Sequence, residues 1–125
     1  MKKVCSVFML HVLLICFTIT AFAQDYTYYN NLAKEEYDKK NYYNVIDYAG
    51  KSLNAYKNGF AYWYRGMARY GLNNYIDAAD DFGNAISYYS SDNTSLGTLY
   101  YWRAICRYQQ QKYKESIPEI GRAHV

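Results

Sequence analysis

Histidine, proline and cysteine are scarce in this chain of 125 residues, and each scarcity removes a class of protein. The two histidines, His11 and His124, lie near opposite ends. The body of the chain therefore lacks the commonest general base and the commonest metal ligand. One proline, against 18 tyrosines, excludes a disordered proline-rich segment. Of the three cysteines, Cys5 and Cys16 fall in the first 23 residues, which leaves Cys106 alone. A lone cysteine closes no internal disulfide, so this is not a disulfide-stapled scaffold. Cys106 stands between Ile105 and Arg107 in a helical pattern and reads as a small buried hydrophobe.

Excess charge is also missing. Residues 24 to 118 carry eleven Lys/Arg and ten Asp/Glu, a net of +1. That balance recommends neither nucleic acid nor a membrane surface as a partner.

The N-terminus differs in kind from the rest. Lys2 and Lys3 precede the uncharged run "VCSVFMLHVLLICFTITAF", and "AFA" at 21–23 places small residues at a cleavage-site spacing before the polar "QDYTYYN". This is the layout of a secretory signal peptide over residues 1–23. The apolar run is long, so an uncleaved N-terminal anchor is the alternative. Ile15 before Cys16 argues against lipidation at that cysteine. The expected location is outside the cytoplasm, in the periplasm or at the cell surface of a bacterium. At the other end "IGRAHV", 120–125, matches the translation of a common sequencing adapter. It is set aside from fold reasoning as an artefact, with the natural reading expected to end near Pro118 or Glu119.

Between these ends the chain repeats itself. "LAKEEYDKKNYYNVIDYAGKSL" (32–53), "RGMARYGLNNYIDAADDFGNAI" (65–86) and "RAICRYQQQKYKESIPEI" (103–120) align without gaps. Ala33, Gly66 and Ala104 share a column, as do Tyr37, Tyr70 and Tyr108. Tyr42, Tyr75 and Tyr113 form a third column, preceded by Asn41, Asn74 and Lys112. The units are offset by 33 and then 38 residues, and the extra residues fall in the turn-rich "SSDNTSLG" (90–97). Apolar and small residues recur at steps of three and four, which predicts helices. Turns are expected at "KKN", "LNN" and "QQK", making each unit a helix, a tight turn and a second helix. Small residues let the two helices approach closely, while the tyrosines fill the space beside them. Such a pair cannot bury its apolar face alone, so the units are expected to stack into a right-handed superhelix.

On these residues the chain resembles the tetratricopeptide repeat family, whose period is about 34 residues with an A-x3-F signature. Ala78 and Phe82 match that signature in the second unit, and Gly66 matches the small residue of the first helix. The first unit departs with Val45 and Ala49 in those columns, and the third has Ser116 and breaks down at Pro118. The resemblance covers about residues 26 to 118 and implies an all-α solenoid domain over 24–119, with repeats near 26–58, 59–91 and 97–119. It also implies a concave groove lined by the first helices. The groove columns hold Asn30, Lys34 and Tyr37, then Trp63, Met67 and Tyr70, then Tyr101, Ile105 and Tyr108. A carboxylate clamp of the family's Lys and Asn type is not reproduced, because Asn30 and Lys34 stand in reverse order and Tyr64 and Trp102 occupy clamp columns.

No catalytic or metal constellation accompanies the repeat, and neither a cofactor nor a metal is expected. "DAADD" (77–81) places Asp77, Asp80 and Asp81 at a helix start, where the helix dipole favours negative charge. Arg65 and Arg69, repeated as Arg103 and Arg107, read either as partners of those carboxylates or as a cation ladder for an acidic ligand. The expected function is a non-catalytic scaffold that binds a peptide or protein segment. The alternative is an N-terminal docking arm of a longer enzyme or envelope-anchoring protein. Self-association through the third unit is a further expectation.

Overall fold

The computed structural model describes residues 1–89 and 93–123 and is all-helical. Five helices follow one another: α1 (Lys2–Asp38), α2 (Tyr42–Ala55), α3 (Gly59–Gly71), α4 (Tyr75–Ile86) and α5 (Asn93–Ala123). Each packs on its neighbours in the chain, and α1 also touches α3. The arrangement is repeat-like: α1 with α2 and α3 with α4 form two hairpins, and α5 lies against α4.

The two hairpin turns are built alike. In the first, Lys40 donates its N–H to the Tyr37 carbonyl and Asn41 donates to that of Glu36, both at 2.9 Å. In the second, Asn73 bonds the Tyr70 carbonyl and Asn74 that of Arg69, again at 2.9 Å. Lys40 and Asn73 both take φ 62°, the left-handed residue of a Schellman motif. Asn74 then caps α4, its side-chain oxygen accepting from the Asp77 N–H and its amide donating to the Asp77 carboxylate. Asn58 does the same for α3, accepting from the Ala61 N–H at 2.9 Å.

The third unit differs. The turn expected at "QQK" is absent, and α5 runs as one helix of 31 residues through that segment. Gln111 stands where Lys40 and Asn73 take the left-handed conformation, and Lys112 stands where Asn41 and Asn74 begin the second helix. Lysine has no acceptor with which to cap a helix start, whereas Asn74 caps α4 through its side chain. Of the loop expected at 90–97, residues 93–97 form the first turns of α5, and 90–92 lie outside the described residues.

Alternation of small and large side chains is answered by the packing. The first core patch consists of Ala33, Val45, Ala49, Leu53, Ala61 and Ala68, flanked by Tyr37, Tyr42, Tyr48, Tyr62 and Tyr64. The second consists of Ala78, Ala79, Phe82, Ala85, Leu99 and Cys106, flanked by Trp63, Tyr70, Tyr75, Tyr89 and Trp102. Alanines set the helices close, and aromatic rings close the seams. Gly66 shows why one column must stay small: a Cβ there would sit 3.0 Å from the Phe82 ring. Gly71 makes the corresponding approach between units, where a Cβ would lie 2.6 Å from the Tyr42 ring. Burial raises the Cys106 thiol to about 11, so at neutral pH it is a protonated packing group.

The first turn is also tied by charge. Glu36 accepts hydrogen bonds from Asn44 (2.8 Å), Asn41 (2.9 Å) and Lys39 (3.1 Å). These donors hold its carboxyl down to about 2, against an ordinary value of 4.5. A group whose pKa is depressed by folding contributes stability above its unfolded value and loses it as pH falls through the folded one. Wild-type stability should therefore fall between about pH 4.5 and 2 relative to Glu36→Gln. Urea unfolding of the two proteins across that range checks it; a pH-independent difference would remove the role assigned to Glu36.

The N-terminal portion of α1, Lys2–Ile19, is long and apolar enough to cross a membrane, and none of it is buried. It is an apolar helix of the kind a signal peptide or an anchor supplies. Residue 23, where cleavage is expected, interrupts no helix, since α1 runs on to Asp38.

Candidate binding cleft

Helices α1 and α3 present one face together with the segment after α4 and the start of α5. Tyr37, Phe60, Trp63, Tyr64, Met67, Tyr89 and Ser95 line a cleft of about 260 Å³ there. Phe60 and Tyr64 stand one turn apart on α3 and stack at 4.4 Å, an i,i+4 pair. Tyr37 meets Tyr64 edge to face at 5.5 Å, and Trp63 meets Tyr89 the same way at 5.8 Å. Each such pair contributes about 0.5–1.5 kcal/mol beyond the area it buries, so the walls are held in place before anything binds. Burial raises the Tyr37 and Tyr64 phenols above their ordinary value. The wall is thus apolar and aromatic, with hydroxyls at fixed points.

Of the nine groove residues expected from the sequence, Tyr37, Trp63 and Met67 line this cleft. Lys34 is exposed at its edge and pairs with Asp38 at 2.8 Å. Asn30 is nearly buried and belongs to a polar knot. Its amide donates to Asn58 Oδ1 (3.1 Å), while its own oxygen accepts from Ser52 Oγ (2.7 Å). That knot joins α1 and α2 to the start of α3. Tyr70 turns toward Tyr75 (5.5 Å) and Trp102 (5.1 Å), against the second core patch. On α5, Tyr101 and Tyr108 are exposed and Ile105 is partly buried. Phe60, Tyr64, Tyr89 and Ser95 were not among the expected groove residues. The i,i+4 spacing of Phe60 with Tyr64, beside that of Trp63 with Met67, was the available signal.

A second cluster is ionic. Asp81, 1% exposed, accepts from Arg65 through both Nε (3.0 Å) and Nη2 (2.8 Å) and from Arg69 Nη1 (2.7 Å). Of the two readings of these arginines, the pairing one holds for Arg65 and Arg69, and Asp81 rather than Asp77 or Asp80 is the partner. Its geometry is that of a closed structural fork. Among the described residues, no three His, Cys, Asp or Glu side chains gather in a way that could hold a metal ion.

Fold and cleft together define an all-helical, repeat-like chain with an aromatic recess on its first-helix face. Comparison with family models, curated proteins and solved structures finds no match for it.

Proposed function

We propose that this chain is a non-catalytic binding scaffold of tetratricopeptide-like design, its hairpins stacked in a right-handed solenoid and its aromatic cleft holding a peptide or protein segment. The observation that carries the reading is the convergence of Tyr37, Phe60, Trp63, Tyr64 and Met67 from α1 and α3 on one open recess. Rigid aromatic side chains bury large area at small entropic cost, and methionine adapts to varied partners. An extended segment suits such a recess, because backbone groups can meet the tyrosine hydroxyls while apolar side chains sit on the rings.

The apolar helix at the N-terminus supports export, either with cleavage at Ala23 or with retention as an anchor. Removal of residues 1–23 leaves a first helix of about the same length as α2, so the first hairpin keeps matched arms. The scaffold would then act in the bacterial envelope, in the periplasm or at the cell surface. The near-neutral charge of residues 24–118 supports a protein partner over nucleic acid.

A displayed library of random peptides, selected on the immobilised chain, tests this. Enriched peptides should bind at least about tenfold more weakly to Trp63→Ala and to Tyr64→Ala, as expected for aromatic anchors, and unchanged to Tyr43→Ala. Tyr43 is exposed on α2, away from the cleft. A library that yields no binder, or binders indifferent to Trp63 and Tyr64, would overturn the proposal.

A further inference from the structure

Helix α5 repeats the cationic half of the buried fork. Its columns follow those of α3 at an offset of 38 residues, so Leu99 and Cys106 take the places of Ala61 and Ala68, and all four are buried. The same offset puts Tyr100, Arg103 and Arg107 in the places of Tyr62, Arg65 and Arg69. In α3 the Arg65 guanidinium lies over the Tyr62 ring at 5.6 Å, and in α5 that of Arg103 lies over Tyr100 at 5.1 Å. A ring beneath a guanidinium holds its plane and leaves its N–H edge to donate. Arg65 and Arg69 spend those donors on Asp81. Among the described residues no carboxylate pairs with Arg103 or Arg107, and Arg103 rests beside Gly83 of α4.

The face that carries these arginines is bare. Ala104 is exposed where Ala33 and Gly66 are buried, and Tyr108 is 64% exposed where Tyr37 and Tyr70 are half-buried. In the earlier units α2 packs on α1 and α4 on α3. Side-chain size says what kind of helix would fit here. Gly66 faces Phe82, and a Cβ there would sit 3.0 Å from the ring. In the first unit the small residue is Ala33, and the Phe82 column holds Ala49. Ala104 leaves the space that Ala33 leaves, so a helix laid on α5 must bring a small residue to that column. The position just before it is that of Asp81, the acid of the fork.

We propose that the bare face of α5 is a docking site for an amphipathic helix of a partner protein that carries an Asp or Glu followed directly by a small residue. The acid enters between Arg103 and Arg107 as Asp81 does between Arg65 and Arg69. The small residue lies on Ala104, flanked by Tyr101 and Tyr108. Charge complementarity favours an acidic helix, because Arg103, Arg107, Lys112 and Lys114 face only Glu115 among the charges of α5 from Asn93 to Glu115. A second copy fits poorly. Its exposed helical acids Glu35, Asp38 and Asp47 already pair with nearby lysines, and they are followed by Glu36, Lys39 and Tyr48. The aromatic cleft on α1 and α3 takes no part in this site.

A stapled helical peptide of residues 75–86 carrying Phe82→Ala is the probe, and fluorescence anisotropy reads its binding to the full chain. It should bind saturably, and more tightly than the same peptide with Phe82 retained. Asp81→Lys in the peptide should weaken binding at least about tenfold, as should Arg103→Glu with Arg107→Glu in the chain. The two reversals combined should restore it. The arginine variants should keep the wild-type circular dichroism, since neither side chain closes an ion pair in the fold. Absence of saturable binding, or binding indifferent to these charges, would overturn the proposal. So would a dimer of the full chain that the arginine variants dissolve, because it would give the face to a second copy.

Discussion

Asp81→Ala unfolds at a temperature well below wild type, with a loss of about 3 kcal/mol. The carboxylate is buried and accepts from two guanidinium groups that are themselves about one-fifth exposed. Removing one partner of a buried pair typically costs 3–5 kcal/mol, because the remaining charge is left without compensation. Partial access of the arginines to water places this case at the lower end. For a folded region of about 100 residues, that corresponds to about 12–24 °C in Tm. Asp81→Asn keeps an acceptor and should recover part of the loss. Circular dichroism at 222 nm during heating is the measurement. Because the Asp81 carboxylate is buried, about 0.5 M salt should change the difference less than it would for a surface pair. A loss under about 1 kcal/mol would show that the fork is energetically no better than an exposed ion pair.

Phe82→Ala should cost more still, about 3–5 kcal/mol. Its ring is fully buried, stacks on Trp102 at 6.4 Å and covers Gly66. Removing the ring leaves a cavity that the opposing wall cannot fill, since Gly66 contributes no side chain. The pair makes a sharper prediction than the single variant. In wild type, Gly66→Ala pushes a methyl to 3.0 Å from the ring and is destabilising. In Phe82→Ala the same methyl enters empty space and should be neutral or stabilising. A double-mutant cycle by urea unfolding reads the coupling, which contact of this kind places at about 1–3 kcal/mol. Additive effects would mean that the small column of the repeat is not small because of Phe82.

Much of this architecture is legible in the residues. The columns Ala33/Gly66 and Tyr37/Tyr70 mark two hairpins, and the structure contains both. The third hairpin was expected from the columns of Ala104, Tyr108 and Tyr113, with a turn at "QQK" before Tyr113. Cap chemistry separates the second unit from the third, because Asn74 caps α4 through its side chain and Lys112 carries no acceptor. Among the aspartates, periodicity alone did not choose. Only Asp77 falls in the first turn of α4, with Asp80 and Asp81 further along the helix, and it is the contact with α3 that selects Asp81.

The cleft was less legible for a related reason. A column gives the face of a helix, but contacts elsewhere decide where a side chain on that face points. Tyr70 is drawn to Trp102 across the inter-unit seam, and Asn30 is held by Ser52 and Asn58. Neither partner is near in sequence. Tyr64, by contrast, is set by Phe60 one turn away and could have been placed from the sequence.

That each helix packs mainly on its chain neighbours has a consequence for how the molecule is made. Every stabilising surface is complete soon after its residues are synthesised, because no segment waits for a distant strand. By the time Gly71 has left the ribosome, Tyr42 is already there to receive it, and the first hairpin can serve as the template for the second. Contact order this low favours rapid folding from the N-terminal side. The nascent chain therefore spends little time with its alanine seams open to water, which matters for a sequence whose surfaces are so rich in tyrosine.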